Sequence, residues 1–158
     1  MDQVTSVPVD LPPLSSANVL AARPGAPRRG AILVVEDRDD VREGLAQLLE
    51  LNGFVVSDAA NGENALGLLR ATPDDFALVL LDLVLPGTIS GHSVRALQLA
   101  DDRLAGIPTI VVSACEPDAR GHAQLRPAAW LEKPFRCDRL LDVVRQFVSP
   151  EHAGLTFD

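Results

Sequence analysis

The run Ala77-Leu78-Val79-Leu80-Leu81-Asp82-Leu83-Val84-Leu85-Pro86-Gly87 decides the fold. Its first five residues are apolar and rich in Val and Leu, the pattern of a strand buried on both faces in a parallel sheet. Asp82 ends that run, and Pro86-Gly87 follows within five residues, so the chain turns into a loop after the carboxylate. Asp82 is therefore expected at the carboxyl end of a central strand, the edge of an open α/β sheet where ligands bind.

On either side of this run the same unit repeats. Ala31-Ile32-Leu33-Val34-Val35 reads as a short buried strand, followed by Glu36-Asp37-Arg38-Asp39-Asp40. A helix follows with Val41, Leu45, Leu48 and Leu49 at i, i+4, i+7 and i+8; Asp39 or Asp40 is placed to cap it, and Asn52-Gly53 to stop it. Phe54-Val55-Val56 begins a second strand, and Asn61 can cap a helix through Leu66 and Leu69 that ends before Pro73. Beyond Asp82 a helix is expected from about Ser93 to Ala100, then a buried strand Pro108 to Val112 that ends at Ser113-Ala114. Residues 117–125 form a weak, short helix candidate, Ala128 to Leu131 a fifth strand, and Leu140, Leu141, Val144, Phe147 and Val148 one side of a last helix stopped by Ser149-Pro150. The expected fold is thus α/β: a five-stranded parallel sheet with helices on both faces, a (βα)5 repeat.

Composition agrees and removes other classes. The chain has 158 residues, 47% of them apolar and only 4% aromatic, enough for one aliphatic core. The net charge is −8. The first 30 residues contribute +1 of this, so the remainder is still more acidic and a poor binder of nucleic acid, whose phosphates repel it. No apolar run reaches the roughly 20 residues a bilayer crossing needs, and no signal peptide opens the chain; a cytoplasmic protein is expected. Cys115 and Cys137 read as reduced small residues of the core. His92, His122 and His152 are scattered and read as surface residues. Residues 1–29, with five prolines, read as a flexible tail, residues 30–149 as the folded domain and residues 150–158 as a short end.

In a parallel sheet all carboxyl ends share one edge. That gathers Glu36-Asp37, Asp82, Ser113 and Lys133 on a single rim although they span almost a hundred residues of sequence. Each alone has an ordinary explanation: first-turn acids, a turn-forming Asp, a helix cap, a solvated lysine. Four such strand ends, each carrying one of these groups, are hard to obtain by chance. Three carboxylates and one lysine leave the rim at −2, so the acids must raise one another's pKa values or take up a cation. Hard oxygen ligands favour Mg²⁺, and the lack of His or Cys nearby disfavours zinc. A cation beside an ionised Asp, a hydroxyl and a lysine suits phosphoryl transfer. Asp82 would be the nucleophile, Mg²⁺ and Lys133 would neutralise the phosphoryl oxygens, and Ser113 would hydrogen-bond one of them.

These motifs resemble the receiver domain of two-component response regulators over about residues 30–149, which implies the flavodoxin-like (βα)5 fold. The matching pieces are Ile32-Leu33-Val34-Val35-Glu36-Asp37, Leu81 through Gly87, Val111-Val112-Ser113-Ala114 and Leu131-Glu132-Lys133-Pro134-Phe135. The resemblance implies a signalling protein rather than an enzyme, with Asp82 phosphorylated by a histidine kinase or a histidine phosphotransfer protein. It implies that Glu36 and Asp37 hold Mg²⁺, Asp37 more directly, with the backbone carbonyl of Val84 as a further ligand. It also implies a cis Lys133-Pro134 bond, and a switch in which the hydroxyl moves inward and Trp130 changes rotamer. A downstream protein target is implied as well, and a homodimer through the last helix and strand is left open.

Several features depart from the family pattern. The loop from Asp82 to Gly91 is one residue longer, Trp130 replaces the commoner Tyr or Phe, and Arg126-Pro127 stands where Gly-Ala is frequent. Trp130, larger than those rings and needing a partner for its N–H when buried, reads equally as a fixed anchor. With few residues on either side of 30–149, a stand-alone receiver is expected. The alternative within the family is a degenerate receiver that binds partners without phosphorylation. An aspartyl phosphatase would need a second Asp where Val84 stands, and the acidic stretch after the first strand would repel a flavin phosphate.

Overall fold

A computed structural model of the chain describes residues 27–115 and 118–150. Five strands, β1 (Ala31–Val35), β2 (Val56–Ala59), β3 (Phe76–Asp82), β4 (Thr109–Ser113) and β5 (Ala129–Glu132), form one sheet in the order β2-β1-β3-β4-β5. Every neighbouring pair is parallel. The helices are α1 (Asp39–Leu51), α2 (Gly62–Ala71), α3 (Gly91–Ala100), α4 (Ala119–Leu125) and α5 (Cys137–Arg145). The α/β fold expected from the repeat is present, and the run 76–82 is buried at every residue.

Alternation along the strands divides the core between the two faces of the sheet. Leu33, Val35, Val79, Leu81 and Val111 meet Leu66 and Leu69 of α2, Val94 of α3 and Leu125 of α4. Ile32, Val34, Leu78, Leu80, Ile110 and Val112 point the other way, onto Leu49 of α1 and Leu140, Val143 and Val144 of α5. Among the described residues, no helix is long and apolar enough to cross a membrane.

The boundaries shift where local chemistry decides them. The residue at the N-terminal cap of α1 is Arg38, whose side chain makes no capping bond; Asp39 and Asp40 lie in the first turn instead, favourable to the helix dipole. Asn61 caps α2 as expected, its side chain accepting from the Asn64 N–H at 2.8 Å. Strand β2 starts at Val56, two residues later than Phe54. Strand β4 starts at Thr109, while the Pro108 carbonyl still accepts from the Val79 N–H at 3.0 Å; proline can offer the ladder only its acceptor. Both cysteines are exposed, which corrects the core reading: Cys115 follows the rim loop and Cys137 opens an amphipathic helix on its outer side. Arg28, within the expected tail, pairs in parallel with Val148: its N–H donates to the Phe147 carbonyl at 2.8 Å and its carbonyl accepts from the Ser149 N–H at 2.8 Å. Residues 1–26 of that tail, and residues 151–158, lie outside the described residues.

Two close approaches fix the loop after Asp82. A Cβ on Gly91 would lie 2.4 Å from the Asp82 carbonyl oxygen and 2.4 Å from Leu83 Cα, both backbone atoms. One on Gly62 would lie 2.6 Å from the Ile89 carbonyl oxygen. The Thr88 hydroxyl also donates to Glu63 at 3.0 Å, so the loop is packed against the start of α2. Gly91→Ala is expected to destabilise the protein by about 2 kcal/mol or more. Gly44→Ala, on the exposed side of α1 with nothing within 4 Å, should stabilise it by about 0.5–1 kcal/mol. Urea unfolding of both variants checks this; equal midpoints would show that the close approach imposes no constraint.

Candidate functional site

Register brings the rim residues together in a staircase. Val35 pairs with Leu81, so Glu36 and Asp82 are the next step. Asp82 pairs with Val112, which places Ser113 one residue beyond it, and Ser113 pairs with Glu132, which places Lys133 one residue further. The Lys133 N–H donates to the Ser113 carbonyl at 2.7 Å, and the Lys133-Pro134 bond is cis.

The side chains close the arrangement. Lys133 Nζ donates to Glu36 Oε1 at 3.1 Å and to Asp82 Oδ2 at 3.1 Å. Oxygens of Glu36, Asp37 and Asp82 lie within 4.8 Å of one another. Glu36 and Asp82 are 2% and 7% exposed, whereas Asp37 is open to solvent. The other oxygen of Asp82, Oδ1, accepts from the Val84 N–H at 2.9 Å, and Glu36 Oε2 accepts from the Arg38 N–H at 3.1 Å. The carboxylates are thus held in place by backbone donors before any ligand arrives. Burial, and to a lesser degree the charge of Asp82, raise the pKa of Glu36 above the ordinary glutamate value, although the Arg38 N–H and Lys133 oppose this. Burial alone would lower the pKa of Lys133, but its bonds and charge interactions with Asp82 and Glu36 outweigh burial and raise it.

Ser113 is buried at the end of β4, and its hydroxyl accepts from the Cys115 N–H at 3.2 Å. Trp130 is half-buried in β5. Its indole N–H donates to the Cys115 carbonyl at 3.0 Å, and His122 stacks on the ring at a centroid distance of 6.4 Å. The partner required by the indole is therefore a backbone carbonyl of the neighbouring loop. His92 and His122 are exposed as expected, and His152 lies outside the described residues.

One supporting residue escaped the sequence reading. Arg42 Nη1 donates to the Glu36 carbonyl at 3.0 Å, and its Nη2 to Asp39 at 2.6 Å. It fixes the acidic loop from within the first helix, and its signal in the sequence is a cation three residues after Asp39, one helical turn from an acidic run.

Comparison with known proteins assigns the arrangement. Residues 32–145 match the model of the response regulator receiver domain. The chain belongs to this receiver family. It is 32% identical over 124 residues to the transcriptional regulatory protein HprR of Escherichia coli (strain K12), covering 77% of this chain and 53% of that one. It is 29% identical over 120 residues to the polar-differentiation response regulator DivK of Brucella anthropi, covering 75% of this chain and 95% of that protein. A solved response regulator receiver protein from Pseudomonas putida superposes with a TM-score of 0.65 at 28% identity, covering 75% of this chain and 98% of that one. The chain spans about half the length of several transcriptional regulators it matches, such as HprR (53%). Receivers are signalling domains of two-component systems rather than ordinary enzymes. In this receiver the acidic group is of the kind that binds Mg²⁺.

Lys133 is the only cation bonded to the two buried carboxylates among the described residues. Lys133→Met leaves them facing each other uncompensated and is expected to cost about 1–3 kcal/mol at neutral pH in chelator. Chemical denaturation measures the loss; a variant as stable as wild type would show that the lysine is not needed to hold the acids together.

Proposed function

We propose that this receiver accepts one phosphoryl group on Asp82 from a histidine kinase or histidine phosphotransfer protein. In this reading it signals in the cytoplasm through protein–protein contacts with a downstream target, as a single-domain response regulator in which residues 30–149 are the receiver between a Pro-rich tail (1–29) and a short end (150–158). The observation that carries the reading is the Lys133 ammonium, 3.1 Å from both Glu36 and Asp82, beside the third carboxylate of Asp37.

The donor set fits Mg²⁺. Three carboxylates with oxygens within 4.8 Å of one another are hard ligands, two buried and one reachable from solvent, a composition suited to a small divalent cation that keeps some of its water. Glu36, Asp37, Asp82 and the backbone carbonyl of Val84 would hold it. When bound, the ion supplies positive charge that neutralises the oxygens of the incoming phosphoryl group.

The chain's own groups do the rest. A carboxylate oxygen of Asp82 attacks the phosphorus of a phosphohistidine; the new P–O bond forms as the P–N bond breaks and the imidazole departs. The Val84 N–H keeps the carboxylate oriented. Lys133, already at Asp82, is placed to follow the negative charge onto a phosphoryl oxygen. The Ser113 hydroxyl donates to another. Ser113 and Trp130 are the switch pair, because both bond to the backbone of Cys115, Ser113 at its N–H and Trp130 at its carbonyl.

Acetyl phosphate with Mg²⁺ is expected to add one acid-stable, base-labile phosphoryl group, and Asp82→Asn to abolish the addition, as read by intact-mass spectrometry. Unmodified wild type, under conditions that label a control receiver, would favour a degenerate receiver that binds its partners without phosphorylation.

A further inference from the structure

The edge of the sheet opposite the rim holds a cation that its neighbours do not neutralise. Arg95 of α3 is 4% exposed. Its Nε donates to the Leu125 carbonyl at 2.7 Å, its Nη2 to the Arg126 carbonyl at 2.8 Å and its Nη1 to the Thr109 hydroxyl at 3.0 Å. A guanidinium carries five N–H donors. These bonds use three, and one on each terminal nitrogen is left without a partner among the described residues. No carboxylate pairs with Arg95 among them either. Burial, and to a lesser degree the charge of Arg126, lower its pKa to about 10, so the group is still charged at neutral pH in surroundings that penalise the charge. It is also held stiffly. Thr109, wholly buried, donates to Gln98 Oε1 at 3.0 Å, and Gln98 Nε2 donates to the Ile107 carbonyl at 3.1 Å.

Arg95 lies on the wall of a cavity of about 440 Å³, within the range of small-molecule sites, roughly 300–1,000 Å³. Thr109 and Ala128 place this cavity at the amino-terminal ends of β4 and β5. The length of β4, roughly 13 Å of strand, separates it from Ser113, and it shares no residue with the candidate phosphoryl site. Ile107, Pro108, Pro127 and Phe147 give the wall apolar surface. Arg126, exposed just past α4, adds a second guanidinium. Arg28 brings a third beside the wall: its N–H donates to the Phe147 carbonyl at 2.8 Å and its Nη1 to the Gly106 carbonyl at 3.1 Å. Asp102, exposed, is the one carboxylate on the wall among the described residues. Three guanidiniums against one carboxylate leave the neighbourhood positive, while Asp102 counts against a ligand with a second negative charge.

We propose that this cavity binds a small organic monocarboxylate with an apolar body, its carboxylate on the free donors of Arg95 and its hydrocarbon part against Pro127 and Phe147. The planar guanidinium matches a carboxylate in shape as well as charge. A carboxylate there also gives the buried cation the counter-charge it lacks. Nothing in this depends on Asp82 accepting a phosphoryl group, so the site stands or falls separately from the proposed function.

Phenylacetate is the probe, with phenylacetamide as its neutral counterpart and inorganic phosphate as a compact anion. Binding to the full chain, without metal or phosphodonor, is followed by two-dimensional amide NMR. Phenylacetate is expected to bind with a dissociation constant of about 1 mM or below, and to shift the amide signals of Gly106, Thr109 and Ala128 while those of Asp82 and Ser113 stay in place. Phenylacetamide and phosphate should each bind at least tenfold more weakly. Arg95→Gln should weaken phenylacetate at least tenfold, and Ala128→Phe, which puts a ring at an exposed position of the wall, should block it. Absence of binding, equal affinity for acid and amide, or shifts confined to the rim overturns the site. A folded Arg95→Gln protein that binds phenylacetate as wild type does overturns the role of Arg95. If Arg95→Gln does not fold, Ala128→Phe and the contrast between acid and amide still decide.

Discussion

One ammonium shared between two buried carboxylates organises this molecule's rim. Lys133 reaches Glu36 and Asp82 from a strand end 97 and 51 residues away in sequence, and only a parallel sheet with every carboxyl end on one edge allows that meeting. The pair is part-buried, so its charges are poorly screened. Three acids against one lysine remain under-compensated. That shortfall fits the family assignment: receiver chemistry brings a cation and a phosphoryl group to such a place, and a fully neutralised site would have no use for either.

The fold was legible because the strands obey simple rules. An apolar run ending in a carboxylate, repeated with helices between, admits few topologies, and strand alternation then sets which residues face α1 and α5 and which face α2, α3 and α4. The rim residues were legible for the same reason, since strand ends can be counted. What stayed hidden lies in α3. Its buried stripe is Gly91, Val94, Arg95 and Gln98, whereas Leu97 is 39% exposed. Hydropathy cannot foresee an arginine and a glutamine at core positions, because their burial depends on acceptors supplied by distant loops. The cysteines misled in the opposite direction: small and apolar by composition, they are exposed because each stands next to a loop.

Three local features of the sequence acquire physical meaning in the structure. Arg126-Pro127 puts a non-glycine residue into a left-handed turn whose carbonyl is held by Arg95. Trp130, in β5, supplies an indole donor that reaches the Cys115 carbonyl. The loop after Asp82 packs against Gly62 and is tied by the bond from Thr88 to Glu63.

The central claim is that acids, alcohol and amine from separate strands act on one phosphoryl group. It is tested most directly by a crystal structure of the protein with Mg²⁺ and beryllofluoride, a phosphoryl mimic. The account predicts the mimic on Asp82, the ion held by Glu36, Asp37, Asp82 and the Val84 carbonyl, and Lys133 Nζ and the Ser113 hydroxyl both turned to the mimic. A mimic seated on another carboxylate, or Lys133 still bonded only to Glu36 and Asp82 with Ser113 unmoved, would contradict it.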